Sequence, residues 1–463
     1  MAGVLIRLLS VSLHDFKNVV NGTVELRKSL EKDCFSEEAD VLGIYGQNGS
    51  GKTAVIQAVA LFKQIVMGGK LWSDIGSCIR VDSGTCAFTV KLAVELLESE
   101  KYLVSYSWKI AENAYRDRTG FVSEILLVSK MQADGSWSKT TPYFECGYDD
   151  DIQVFSPKYR YENMAGSSQQ NTINMSVAYK MARENGTSFL FSLRFIELLN
   201  KSSEKELSSL VLAIRKYAFE NLFVFLNSHS GGISLDVFLP LSILHSEKGI
   251  KAFGEIPIDL QNPMVLSRKD FAMTENIVRN LSSVMNAIVP GLTFGVKNYG
   301  AELKEDGSEG VRFEIISTRY GKPFALRYES EGIKKLFSVL SVLIAMYNDP
   351  GVCVAIDELD SGIFESLLGT VIHTLDETGK GQLLFTSHNL RPLEVIGKDN
   401  ILFSTVNPEN RYIRMSSIKK TNNLRDCYIR AISLGGQDEE LASETKESAI
   451  RRALRKAGSH EKE

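Results

Sequence analysis

The chain has 463 residues, 44% of them hydrophobic and 24% charged, with a formal net charge of −4. This balance fits a soluble globular protein of two or three domains, or one large domain with an insertion. The mild acidity excludes a protein that coats nucleic acid over its whole surface, though it leaves room for a local basic groove. The cysteines (Cys34, Cys78, Cys86, Cys146, Cys353 and Cys427) are scattered with no C-x-x-C pair, which points to neither a zinc site nor a disulfide framework. No apolar run approaches membrane-spanning length, so the expectation is a cytoplasmic protein with reduced thiols and no membrane partner.

In chain order, alternating apolar residues (Ile6, Leu8, Val11 and Leu13, then Val20, Val24 and Leu26) predict two strands within 1–30. The first of these ends at Asp15-Phe16-Lys17-Asn18. Arg7 interrupts the apolar opening and no small-residue cleavage site follows, so the opening reads as a strand and not as a signal peptide. A polar loop is expected at 31–40. The run Val41-Leu42-Gly43-Ile44-Tyr45 then has the character of a buried parallel strand.

It leads into Gly46-Gln47-Asn48-Gly49-Ser50-Gly51-Lys52-Thr53, which satisfies G-x-x-x-x-G-K-[ST] at every fixed position. Over 54–67 the spacing of Val55, Ala58, Val59, Phe62, Ile65 and Val66 predicts a helix. Strand, glycine loop and helix form the context this motif requires. Backbone N–H groups and the helix N-terminus would surround a polyphosphate. Lys52 would reach the β- and γ-phosphates, and the Thr53 hydroxyl would sit on Mg²⁺.

Residues 84–145 alternate over 86–97, 102–110 and 124–129, separated by turn segments, and predict an antiparallel meander. A polar linker is expected at 165–171. Helical spacing follows at 187–200, 203–226 and 273–289, the last ended by Pro290-Gly291. Strands are predicted at 311–317 and 324–328. Ser330 is placed to cap a helix that runs through an apolar stretch at 336–346, and Ser330 and Gly332 offer hydroxyl and N–H groups at its start.

The run Val352-Cys353-Val354-Ala355-Ile356 ends in Asp357-Glu358, as a buried parallel strand delivering carboxylates to its C-terminal edge. Asp357 is suited to hold Mg²⁺ and Glu358 to activate an attacking water. A further apolar strand, 382–386, ends at Thr386-Ser387-His388, where His388 can meet a γ-phosphate. Short strands at 401–405 and 412–415 precede a charged helix at 438–456. At its C-terminal end Ile450 and Leu454, with Ala457 just beyond, can share a face ringed by Arg451, Arg452, Arg455 and Lys456.

These pieces, in this order, resemble the ATP-binding-cassette-like (ABC-like) ATPases of the SMC/RecF/OLD superfamily, and more narrowly its stand-alone bacterial AAA-family ATPases without a coiled-coil arm. The resemblance implies an α/β fold: an ABC-type phosphate-loop head with an antiparallel β layer and a helical insertion. The corresponding division is 1–149 and 291–436 for the head, 150–290 for the helical insertion and 437–463 for a basic C-terminal helix.

It further implies ATP and Mg²⁺ as cofactors, with Gly46 to Thr53 on the nucleotide, Thr53 and Asp357 on the metal, and Lys52, Glu358 and His388 in catalysis. Ser330, Glu331 and Gly332 would contact the nucleotide of an opposite subunit, and Ser361-Gly362 lies where the family's D-loop sits. The signature is not LSGGQ, no Q-loop glutamine stands out before the meander, and no nuclease centre of the TOPRIM type follows His388.

The partners implied are a second copy, as a homodimer or higher homo-oligomer joined through ATP, and a separately encoded nuclease or toxin in antiphage defence. The alternative is a RecF-like DNA-repair ATPase that clamps duplex directly, with Arg80, Lys91, Lys101, Lys109 and Arg116 on the meander as its basic face; DNA or RNA is then the partner. A transporter subunit fits less well with the large middle region, and a GTPase lacks N-K-x-D after the acidic strand.

Overall fold

The computed structural model describes residues 4–30, 32–97, 100–148, 155–166, 168–227, 238–247, 250–259, 261–304, 306–415, 423–434, 437, 439–442 and 446–458. The chain is a mixed α/β fold in which an antiparallel sheet lies over a mainly parallel one. The antiparallel sheet runs β2-β1-β4-β5-β6-β7, built from β1 (Leu5–Phe16), β2 (Val19–Glu25), β4 (Thr85–Glu95), β5 (Lys101–Tyr115), β6 (Arg118–Lys130) and β7 (Thr141–Gly147). Its strands alternate buried and open residues, as the period-2 pattern requires of a sheet covered on one face.

The second sheet runs β18-β17-β3-β16-β15-β8, with β3 (Asp40–Tyr45), β8 (Leu222–Phe225), β15 (Cys353–Ile356), β16 (Gln382–Thr386), β17 (Ile401–Ser404) and β18 (Tyr412–Ile413). Every pairing in it is parallel except β17 with β18. One strand, β16, separates the phosphate-loop strand β3 from the acidic strand β15.

These strands are continuously apolar because both faces are covered. Leu42, Ile44, Cys353, Ala355 and Leu384 pack with the helix Lys52–Val66 and the antiparallel sheet. Val41, Tyr45, Val354, Ile356 and Phe385 pack on the other side, with the helices Glu331–Asn348 and Glu365–Thr378. A smaller sheet of β11 (Met264–Ser267), β13 (Glu309–Arg319), β12 (Leu292–Leu303) and β14 (Lys322–Ala325) flanks the helix Arg268–Ile288.

Two polar side chains key the sheets together at the edge remote from the phosphate loop. Arg7, 1% exposed, donates to the carbonyls of Pro350 at 3.1 Å, Lys380 at 3.0 Å and Glu38 at 3.0 Å, just before β15, β16 and β3. Gln382 acts as a surrogate strand neighbour for β1. Its Oε1 accepts from Leu8 N–H at 2.7 Å and its Nε2 donates to Leu8 O at 2.8 Å, beside the bulge between Leu8 and Ser10.

The middle of the chain departs from the sequence-based expectation in three places. The segment expected as a polar linker, 165–171, is spanned by the end of one helix (Lys158–Ala165) and the start of another (Gln169–Asn185); Ser167 lies outside the described residues. The helix expected over 187–200 is Leu193–Lys201, begun by Ser192, whose hydroxyl accepts from Phe195 N–H. The helix expected over 203–226 stops at Glu220, and Leu222–Phe225 is β8, the strand beside β15. Four apolar residues with no 3.6-residue stripe of their own suit a strand buried on both faces.

The helices between 158 and 220 share one apolar cluster with the antiparallel sheet and the helix Lys52–Val66. The remainder of 150–290 also carries the hairpin β9 (Phe238–Glu247) with β10 (Ile250–Asp259), so the span is not helical throughout. At the C-terminus the described helix is Glu447–Gly458 rather than 438–456; Ile450 and Leu454 are exposed on it, and Asp438 lies outside the described residues. Residues 326–328, expected as strand, form a 3₁₀ turn. Among the described residues no helix is long and apolar enough to cross a membrane, and all six cysteines are free.

Glu124, fully buried on β6, fastens the helical layer to the sheet. Its carboxylate accepts from the hydroxyls of Tyr106, Tyr148 and Ser188, and from Phe189 N–H at 2.8 Å. Burial pushes the carboxyl up from its ordinary range, opposed by these donors. Each buried donor left unpaired costs about 1–3 kcal/mol, so Glu124→Ala is expected to lower the unfolding free energy by about 3 kcal/mol or more. Urea denaturation with an unchanged midpoint would contradict that role.

Candidate nucleotide site

The site forms where β3, β15 and β16 end together, the edge at which open parallel sheets present loops to ligands. The loop after β3 closes tightly against the end of β17. A Cβ on Gly46 would fall 1.8 Å from Ser404 Oγ, so only glycine fits where the loop leaves the strand. Ser404 Oγ and Ser50 Oγ pair with each other, one of them donating, and the other hydroxyl donates to its own backbone acceptor, Tyr45 O at 3.1 Å for Ser404 or Gln47 O at 2.6 Å for Ser50. From outside, Asn18 Nδ2 bonds Gly49 O and Tyr412 OH donates to Gly51 O at 2.7 Å. Gln47, Asn48 and Gly49 at the loop tip are exposed, and the helix N-terminus opens behind them at Lys52.

Lys52 is 6% exposed, with its amine donating to Gly46 O at 2.7 Å and Gln47 O at 3.0 Å. Burial lowers the ammonium's pKa against the opposing pull of Asp357, Glu358 and Asp360. Next to it, Thr53 Oγ1 donates to Asp357 Oδ1 at 3.2 Å. The same oxygen accepts from Thr386 Oγ1 at 2.7 Å, which ties the phosphate-loop helix, β15 and β16 to one atom.

Asp357 is 2% exposed, and its Oδ2 is buried with no hydrogen-bond partner. A buried carboxylate oxygen without a donor is costly unless a ligand completes it. A hard oxygen donor beside a threonine hydroxyl and a phosphate-type loop is the set that suits Mg²⁺, which takes one or two protein oxygens and fills the remainder from phosphates and water. The residues present therefore fit the metal expected from the sequence.

Glu358 is half-buried and has a left-handed backbone, φ 50°. Its N–H donates to Thr386 Oγ1 at 2.7 Å and its carbonyl accepts from Lys335 Nζ. His388 is exposed; its N–H and that of Asn389 donate to Asp360 Oδ2, at 3.0 and 2.9 Å. The loops after β15 and β16 are thus laced together through Asp360 and Thr386.

The predicted site residues fall into two groups. Gly46 to Thr53, Asp357 and Glu358 converge, and His388 sits on the adjoining loop. Ser330, Glu331 and Gly332 instead stand at the start of the helix Glu331–Asn348, against the Ser361-Gly362 turn. Ser330 is exposed and its Oγ caps the helix, accepting from Ile333 N–H at 3.4 Å. Gly332 is buried and so close to the turn that a Cβ there would lie 1.7 Å from Gly362 O. Beside them an apolar groove of about 1010 Å³ runs between this helix and Glu365–Thr378, with Phe364 73% exposed at its rim.

Thr386, Asp360, Lys335 and Ser404 join the site without having been singled out in the sequence. Thr386 and Asp360 lie within two residues of motif positions. Lys335 and Ser404 have no local signal, because their place depends on which elements lie side by side.

No protein-family model matches the chain, and no curated protein matches it. Solved structures similar to it include an SMC head bound to the C-terminal winged-helix domain of ScpA, at 15% identity over 88% of this chain and 97% of that one, TM-score 0.41. The SMC head domain from Thermotoga maritima matches at 13% identity over 89% and 99%, TM-score 0.34. The recombination mediator protein RecF with ATP, of the RecFOR pathway, matches at 14% identity over 83% and 94%, TM-score 0.33.

Proposed function

We propose that the chain is a Mg²⁺-dependent ATPase of the ABC-like type, whose nucleotide state is relayed to a separately encoded partner. The observation that carries this reading is the unpartnered Oδ2 of buried Asp357, set beside Thr53 at the mouth of the Gly46–Thr53 loop. Thr53 Oγ1 and Asp357 would hold the metal, which when bound offsets charge on the phosphates. The loop N–H groups and Lys52 grip the phosphate oxygens. Glu358 is the candidate base for the attacking water, and His388 faces the same edge from the next loop. ATP rather than GTP is supported by the motif resemblance and by the lack of N-K-x-D after the acidic strand.

Ser330 is exposed at its helix start and bonds no described residue of its own chain's phosphate loop, which favours a site completed by a second copy. The output follows from the family resemblance alone: a nuclease or toxin encoded separately, acting in antiphage defence. One observation favours the second reading, direct duplex binding. The outward face of the antiparallel sheet carries Ser12, His14, Thr89, Ser105 and Ser107 with Lys91 and Lys109, and neither lysine has an acidic partner among the described residues. By contrast Arg80, Lys101 and Arg116 are paired with Asp82, Glu95 and Glu184.

Lys52→Ala is expected to abolish ATP binding. Glu358→Gln is expected to bind ATP but hydrolyse it about 10²–10⁴-fold more slowly, the usual loss with a general base, and to accumulate an ATP-bound oligomer. Steady-state hydrolysis and light scattering measure both, and wild-type turnover in either variant would refute the assignment. Mixing Lys52→Ala with Ser330→Arg chains is expected to restore partial activity, since half of the hybrid sites are intact; no recovery would place the whole site within one chain. For the second reading, duplex affinity that falls with salt and is lost in Lys91→Glu/Lys109→Glu would support a DNA face, and affinity unaffected by the change would remove it.

A further inference from the structure

The start of the helix Glu331–Asn348 touches the loop after β15 at two points. Gly332 backs onto Gly362. One turn further on, Lys335 is 5% exposed and donates its amine to the carbonyl of Glu358. A lysine is rarely buried this far without specific partners. The negative charges of Asp360, Glu358 and Asp357 act on its ammonium against the cost of burial, as the same three do on Lys52.

Glu358 needs such support. Its φ of 50° is a left-handed conformation uncommon for a residue with a side chain, and such strain persists where the surroundings over-determine it. Both peptide units around it are pinned. On the N-terminal side its N–H is held by Thr386 at the end of β16. On the C-terminal side its carbonyl accepts from Ser361 N–H at 3.0 Å within the turn and from Lys335, the one side chain on it among the described residues, which comes from the helix that Ser330 caps. The direction in which the Glu358 side chain leaves the backbone is thus set jointly by β16 and by this helix.

We propose that Lys335 is a positioning residue for hydrolysis: by holding the Glu358 carbonyl it fixes the turn that aims the Glu358 carboxylate, and it links that carboxylate to the helix start carrying Ser330. This rests on the ATPase reading above. Movement of the helix start, where a second copy would dock, reaches the Glu358 turn through this bond and through the Gly332–Gly362 contact beside it.

The test compares wild type, Lys335→Met, Lys335→Arg, Glu358→Gln and the double variant Lys335→Met/Glu358→Gln, by ATP affinity and by single-turnover hydrolysis. Lys335→Met keeps the aliphatic stem and removes the donor. It is expected to hydrolyse about 10²-fold more slowly, as a misplacement near 1 Å does, with ATP affinity unchanged. The double variant is expected to be no slower than Glu358→Gln alone, because both changes remove one function.

Lys335→Arg keeps the charge but replaces a point donor with a planar fork, and is expected to fold, bind ATP and hydrolyse it slowly. If only charge balance mattered it would run at the wild-type rate, and that result would overturn the proposal. So would wild-type hydrolysis in Lys335→Met, or losses that add in the double variant. A wild-type chain that neither binds nor hydrolyses ATP would instead overturn the ATPase reading itself.

Discussion

The arrangement depends on a single carboxylate. Asp357 is buried at the end of β15, where one oxygen draws in Thr53 from the phosphate-loop helix and Thr386 from β16, while the other has no protein partner. The first oxygen fixes the spacing of three elements far apart in sequence. The second is the proposed metal ligand at the mouth of the loop. Leaving a carboxylate oxygen dry and unpaired is unfavourable, so the fold holds this cost where a cation and phosphates would offset it. Strain at Glu358 and burial of Lys52 and Lys335 concentrate at the same edge, as expected where local rules yield to function.

Such an edge needs a rigid support, and the two sheets provide it. The parallel sheet is covered on both faces, so its short strands have no freedom to slide: a one-residue shift would exchange Val354 and Ile356 for Cys353 and Ala355 across the sheet. Arg7 and Gln382 then lock the antiparallel layer to the opposite end of that sheet, and Glu124 locks the helical layer to the antiparallel one. Rigidity is built at one end of the strands and the candidate site at the other.

Much of this was legible in the sequence, for a physical reason. A phosphate loop needs its glycines, lysine and threonine at fixed spacing, and a buried parallel strand needs an unbroken apolar run, so the loop at 46–53 and the acidic edge at 357–358 both stand out. The meander was legible through its period of two. Helix and strand at 203–226 were not separated, because a short apolar run such as Leu222-Phe223-Val224-Phe225 fits either, and only its neighbour β15 decides. Arg7 read as a break in an apolar opening, whereas it is a buried key between sheets. Lys335 gave no signal, since its meaning comes from a carbonyl 23 residues away that is itself turned by strain.

The central assignment, that Asp357 completes a metal–nucleotide site with the phosphate loop, is tested most directly by calorimetric titration of the full chain with ATP in the presence and absence of Mg²⁺. Mg²⁺ is expected to tighten ATP binding in the wild type and to lose that effect in Asp357→Asn. Binding indifferent to Mg²⁺ in the wild type, or the same tightening in Asp357→Asn, would contradict it.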